Sequence, residues 1–189
     1  MEEQLTSTER TFLLTIARGA IVKGVRGEEL GSLNLDELPD KLREEGVSFV
    51  TLSIGGNLRG CIGALEATRP LAEDVQQHAI AAALNDYRFP PVRSNEIDDI
   101  TIEISYLTPP MPLMYEDPAD LINHLRPGKD GVVIQDGVRR ATFLPQVWEK
   151  IPEPETFMNM LCQKMGSPPN FWRQKKIEVL TYQVEKFSE

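Results

Sequence analysis

The sequence predicts an α+β fold with a largely antiparallel sheet flanked by helices. Two observations carry this expectation. Hairpin patterns occupy 48–65 and 132–144, and the helical segments do not alternate with strands as a regular βαβ series would. Thr6-Ser7-Thr8-Glu9 reads as a capping box. Phe12, Leu13, Ile16, Ala17, Ala20 and Ile21 follow at helical spacing, so the first helix runs to about Gly24 or Gly27. Residues 28–46 carry no strong period and read as a connection.

Ser48–Ile54 reads as a strand, Gly55-Gly56-Asn57 as a turn and Leu58–Leu65 as the returning strand. Pro70 opens a helix with Glu73 and Asp74 in its positive first turn and Leu71, Val75, Ala79 and Ala82 as its buried stripe. Thr101–Leu107 alternates as a strand and stops at Pro109-Pro110. Asp117-Pro118 opens a short helix that Pro127-Gly128 closes. Asp136-Gly137, between Val132–Gln135 and Val138–Leu144, suits a type I′ turn. Pro145 starts a short helix; Phe157, Leu161 and Met165 stripe another, ended by Gly166. Ile177–Phe187 reads as one long strand.

At 189 residues, with 41% hydrophobic and 26% charged content, the chain suits one globular domain or two small subdomains sharing a core. Residues 1–189 are read as a single domain, with no linker to separate independent ones. No run approaches the roughly 18 apolar residues of a membrane span. Met1-Glu2-Glu3-Gln4 lacks the basic start of a secretory signal. Two cysteines make no disulfide framework, so a reducing cytoplasm is expected. A net charge of −9 weighs against nucleic acid, and the densest basic group (Arg173, Lys175, Lys176) is short. The residues give no metal-ligand spacing and no phosphate-loop or dinucleotide fingerprint, so no cofactor is expected.

Leu58-Arg59-Gly60-Cys61-Ile62-Gly63 is the strongest site candidate, because glycine within a strand marks a bulge or a close backbone approach. A three-residue turn pairs Ile54 with Leu58 and Val50 with Ile62, so the apolar sets coincide. Asn57 would then take a left-handed conformation. This places Thr51, Ser53, Arg59, Cys61 and Gly63 on one polar face, with Arg59 about 6–7 Å from Cys61 along the strand. There a guanidinium favours a thiolate, or holds a carboxylate or phosphate. Against this, free cysteine is commonly buried packing, and Arg59 has Glu66 or Glu103 as ion-pair candidates. His78, on the Pro70 helix, is a candidate base for Cys61. Cys162 reads as core. Asp86 and Arg88 form a polar loop edge or tie down the helix end.

These residues resemble a known family. Leu58–Gly63 resembles the signature hexapeptide of the AMMECR domain, and Phe49-Val50-Thr51-Leu52 its entry strand. Asp86-Tyr87-Arg88-Phe89-Pro90-Pro91 resembles its Asp-x-Arg-Phe-x-Pro loop, and Glu103–Pro109 its central strand. Phe143–Val147 and Leu161–Gly166 complete the order. The resemblance implies a larger and a smaller subdomain with the hexapeptide near the cleft between them. It also implies association with a Memo-like protein and a radical-SAM protein, the bacterial and archaeal AmmeMemoRadiSam set. Where many members carry His-Gly, this chain has Asp130-Gly131, so no role of that histidine carries over.

Three functions stay open. The chain is a substrate- or partner-binding component of such a modification system, using Arg59, Gly60, Gly63, Thr51, Ser53, Asp86 and Arg88. Or it is an enzyme with Cys61 as nucleophile and Arg59 orienting an anionic substrate. Or it is a scaffold whose glycines serve packing alone. It lacks the three-cysteine cluster motif of radical-SAM chemistry and is not that enzyme.

Overall fold

The computed structural model describes residues 4–189, so Met1–Glu3 of the acidic N-terminus lie outside the described residues. The chain divides into two compact units. One holds the residues up to Leu107 together with Glu185–Glu189, and the other is Thr108–Val184. Each has an apolar core of its own. The architecture is α+β with two four-stranded sheets, as the sequence predicts.

In the first unit, helix α1 spans Ser7–Val25. Thr6 and Glu9 close the expected capping box, Glu9 N–H donating to Thr6 Oγ1 at 3.2 Å and Thr6 N–H to the Glu9 carboxylate at 2.7 Å. Leu13, Ala17, Ala20 and Ile21 are buried, whereas Phe12 flanks the stripe and is 37% exposed. The 28–46 connection contains a 3-10 turn, Leu35–Glu37, and a one-turn helix α2, Asp40–Arg43, pinned by buried Leu42. Strands β1 (Val47–Ile54) and β2 (Asn57–Gly63) form the hairpin. Helix α3 (Leu71–Leu84), a 3-10 turn (Ser94–Asp99) and strand β3 (Ile100–Leu107) follow. Helices α1 and α3 pack on one another, and α3 lies on β1 and β2. Val50, Leu52, Ile102 and Ile104 meet Val75, Ala79 and Ala82 in the core.

The second unit comprises β4 (Met111–Pro112), α4 (Pro118–His124), β5 (Gly131–Asp136), β6 (Arg139–Phe143), α5 (Pro154–Lys164), α6 (Phe171–Gln174) and β7 (Glu178–Tyr182). Its sheet order is β4-β7-β5-β6. Trp148 stacks on Phe157 with centroids 3.6 Å apart at the centre of that core. Cys162 is fully buried there, as its place in the α5 stripe predicts, and burial pushes its thiol up. The basic trio is locally engaged: Arg173 pairs with Glu155 at 2.6 Å, Lys175 with Asp136 at 2.6 Å, and Lys176 lies over the Tyr115 ring. Among the described residues no helix is long and apolar enough to cross a membrane.

Three expectations are corrected. Ile177–Phe187 is two strands: after β7 the chain breaks at Gln183, and β8 (Val184–Ser188) joins the first sheet in the order β2-β1-β3-β8. Thr108 takes both backbone groups of Gln183, its Oγ1 accepting from the Gln183 N–H at 2.9 Å and its N–H donating to the Gln183 carbonyl at 3.0 Å. With those groups occupied, the ladder cannot run through. In the second hairpin Asp136 pairs with Arg139 inside the sheet, so the turn is Gly137-Val138. Only Gly137 has positive φ, the pattern of a type II′ turn. The third correction concerns the first hairpin.

Candidate functional site

The first hairpin turns through two residues, Gly55-Gly56, with φ of 56° and 80°. Such a pair suits type I′ geometry. Asn57 pairs with Ile54 as the first residue of β2, and no non-glycine residue described has positive φ. The pairing runs Ile54 with Asn57 and Ser53 with Leu58, then shifts to Leu52 with Gly60, Thr51 with Cys61 and Val50 with Ile62. Arg59 is the extra residue. A β-bulge there restores the register that the apolar pattern demands at Val50 and Ile62, its one extra residue making up for a turn one residue shorter than expected. The bulge also reverses the alternation beyond it, so Leu58 sits opposite Ser53 and is 46% exposed rather than core.

Helix α3 explains the glycine before the cysteine. A Cβ on Gly60 would run into the backbone carbonyl of Ala82, so helix and strand approach too closely for any side chain. Gly63 is similarly closed off, by the Phe49 ring and the Ser48 carbonyl. The Gly60 face is therefore the helix face. Cys61 points to the opposite one, beside Thr51 and in line with Glu103 across β3. Thr51 Oγ1 donates to Cys61 Sγ at 3.3 Å, and the thiol is half-buried.

Arg59 engages neither of the acids proposed from sequence. Its Nε and Nη2 donate to the two oxygens of Glu96 at 2.7 and 3.1 Å, and Nη1 donates to the Pro90 carbonyl at 2.9 Å. Glu96, which also accepts from the Arg93 N–H at 2.8 Å, is pulled down to about 2, chiefly by Arg59. Its hydrogen bond raises Arg59 in turn. Glu96 lies 37 positions away, within a 3-10 turn that gives no sequence signal.

The guanidinium that reaches Cys61 belongs to Arg88. Asp86 Oδ2 accepts the Cys61 N–H at 2.9 Å, and Arg88 Nη2 donates to the Cys61 carbonyl at 3.1 Å. Arg88 also donates to Asp86 from Nη2 at 2.6 Å and Nε at 2.9 Å. The pair thus binds the outer edge of β2 as a neighbouring strand would, with one acceptor and one donor. Asp86 is buried and held well below the usual carboxylate range, first by Arg88 and then by the Cys61 and Arg88 backbone N–H groups. Asp86 and Arg88 thus clamp the hexapeptide, a role that neither sequence reading named.

His78 is not brought to Cys61. It projects from α3, on the Gly60 side of the sheet, where its Nδ1 lies 3.1 Å from Asp74 Oδ2 and 3.4 Å from Ser48 Oγ. Asp74 is buried and accepts from the Ser48 backbone N–H at 2.8 Å and hydroxyl at 2.7 Å. Since Ser48 Oγ donates to the carboxylate, the hydroxyl is tied down rather than presented to the imidazole. Asp74 and His78 fall on the helical repeat of Leu71, Val75 and Ala82. That spacing is the available signal that both face inward, whereas Asp74 alone suggests only a first-turn charge. Ser53, Thr51 and Gly63 share the Cys61 face as expected. Among the described residues no group of three or more His, Cys, Asp or Glu could hold a metal.

Asp130, the residue where a histidine is frequent in the resembled pattern, is buried in the second unit. It accepts from the Arg126 backbone N–H at 2.8 Å and from Gln183 Nε2 at 2.7 Å, and its backbone carbonyl takes the Trp148 indole N–H at 2.7 Å. It acts there as a structural hub.

Comparison with known proteins fits this arrangement. The family model described as AMMECR1 matches residues 14–187. A protein of Methanothermobacter thermautotrophicus is 42% identical, with 98% of this chain and 96% of the relative covered. One of Methanopyrus kandleri is 36% identical, covering 100% and 92%. The crystal structure of an uncharacterized protein from Pyrococcus horikoshii is similar with a TM-score of 0.74 at 32% identity, covering 98% of this chain and 93% of that one. With a match that spans both hairpins and both sheets, the chain belongs to the AMMECR1 family.

Proposed function

We propose that this protein is a substrate- or partner-binding component of a modification system, acting with a Memo-like protein and a radical-SAM enzyme of the AmmeMemoRadiSam type. The observation that supports the reading is that the polar groups of the hexapeptide are held by fixed partners from the loop and the 3-10 turn that follow α3. Arg59 is held by Glu96 and Pro90, and the Cys61 backbone by Asp86 and Arg88. Such a face is rigid and shaped, which favours recognition because little freedom is lost on binding. Thiol catalysis needs a base near the nucleophile, and the histidine offered for that task projects from the other side of the sheet.

The test is association of the full chain with purified Memo-like and radical-SAM proteins encoded in the same genome, measured by size-exclusion chromatography. A shared elution peak that Thr51→Arg abolishes, with the fold kept by circular dichroism, is expected. Separate elution across salt and nucleotide conditions would overturn the reading. Native alkylation with iodoacetamide separates the thiol-enzyme alternative. Cys61, half-buried and bonded by Thr51, should react slowly, and Cys162 only after unfolding.

A further inference from the structure

A pocket of about 380 Å³ opens beside the bulge. Phe89, Pro90 and Pro91 give it an apolar lining; Arg59, Arg93 and Asn95 give it hydrogen-bond donors, and Glu96 completes it. We propose that this pocket receives an acidic, carboxylate-bearing segment of a partner protein, bound by Arg93 and the remaining N–H groups of Arg59 with its apolar residues against Phe89 and the two prolines. The proposal rests on the partner-binding reading above and names the chemistry of the partner.

Charge argues for the occupant. The whole chain carries a net charge of −9, yet this lining has two arginines against one glutamate, and the glutamate is spent on Arg59 through two hydrogen bonds. The exposed Arg93 is the excess positive charge. An acidic segment is therefore favoured here although the chain as a whole carries net negative charge, which gives the contact its place and register. Arg59 uses three of its five donors internally, leaving two for a carboxylate.

Preorganisation and exposure point the same way. The proline rings fix two backbone torsions of the lining, and Arg59 is immobilised by its three bonds. Tyr87, in the same loop two residues before Phe89, is 95% exposed. A tyrosine left uncovered is among the side chains most enriched in the centres of protein interfaces.

The experiment uses the isotope-labelled full chain and a decapeptide of alternating glutamate and leucine, followed by amide correlation spectra. Shifts confined to the amides of Arg59, Phe89, Arg93, Asn95 and Glu96 are expected, weakening as salt is raised. Arg93→Ala should weaken the apparent Kd about tenfold, equivalent to about 1.4 kcal/mol, and the glutamine counterpart of the peptide should leave the spectrum unmoved. Equal binding by the glutamine peptide, unaltered affinity in Arg93→Ala, or reproduction of the whole effect by inorganic phosphate would each overturn the proposal. If the chain co-elutes with its partners while Arg93→Ala changes nothing, the pocket is refuted and the partner-binding reading stands. If no partner co-elutes but the peptide binds as described, the failure belongs to that reading.

Discussion

The two hairpins of this protein share a turning device and differ in the ladders beyond it. Both turn through two residues beginning with glycine, Gly55-Gly56 and Gly137-Val138. The second then pairs without interruption from Asp136 with Arg139 to Val132 with Phe143. The first inserts Arg59, loses one pair, and sets Gly60 against a helix backbone three positions before Gly63. A regular ladder spreads its side chains evenly over two faces. A bulge re-aims one of them, and here the re-aimed side chain is the arginine that lines the pocket. On strand β6, Lys164 donates to the Thr142 carbonyl at 2.8 Å and Tyr182 Oη to the Phe143 carbonyl at 3.2 Å. Strand β2 carries a full clamp of donor and acceptor. The difference lies in the bulge and the clamp, which the first hairpin has and the regular ladder of the second lacks.

Substitutions can break or sharpen that contrast. Gly60→Val should have the largest effect, because its branched side chain meets the Ala82 carbonyl and neither backbone can retreat without disrupting α3 or β2. A loss of about 3 kcal/mol is expected from overpacking of this kind, read as a lower urea midpoint. Gly137→Ala in the regular hairpin should lose only about 1 kcal/mol, the usual scale for a strained positive φ. Equal losses would erase the distinction between a glycine required by packing and one required by a turn.

Asp86→Ala comes next. It leaves the Cys61 N–H without its acceptor and Arg88 without its carboxylate, and should cost about 2 kcal/mol. Hydrogen exchange at the Cys61 amide should rise with it, while the β5–β6 amides keep their protection. Exchange rising equally in both hairpins would show that the clamp acts globally. Glu96→Gln is milder, about 1 kcal/mol for a partly exposed ion pair, and should increase mobility at the Arg59 guanidinium.

The pH dependence has its origin in the same acids. Both Asp86 and Glu96 titrate lower in the folded chain than in the unfolded one. Their contribution is therefore complete above the unfolded carboxylate range near 4 and is lost as pH falls through the folded values. Urea midpoints measured from pH 6 down to pH 2.5 should drop, and Asp86→Asn should flatten part of that slope. An unchanged slope would remove Asp86 from the account of acid sensitivity. This is the smallest of the expected differences, since other carboxylates share it.

Legibility in the sequence divides along physical lines. Hydrophobic alternation places Val50 opposite Ile62 correctly, because burial enforces register wherever one face is core. It cannot reveal that a shorter turn and a bulge give the same register as a longer turn, so it misplaces Asn57 and Leu58. The Asp-Gly signal finds the second hairpin but sets its turn one residue early, since Asp136 stays in the ladder with Lys175 and Arg139 at its carboxylate. Alternation in 177–187 has no mark at Gln183, where the chain leaves one sheet for the other. For the site, local period alone groups Cys61, Thr51 and Ser53. The partners of Arg59 and the Cys61 backbone, 31 and 37 or 25 and 27 positions away, are tertiary choices that local spacing does not encode.

The departure at Gln183 has a consequence for how the protein is made. Strand β8 lies beside β3 in the first sheet, and Glu185 receives the Leu5 N–H and the Arg10 guanidinium while Glu189 pairs with Arg18. On the ribosome, the strand that finishes the first unit emerges only after all of the second. Until then α1 lacks these acidic partners and β3 exposes an unpaired edge, so the nascent first unit waits incomplete while the second is free to collapse on its own core. The unit begun first is therefore the one whose sheet receives its last strand at the end of synthesis.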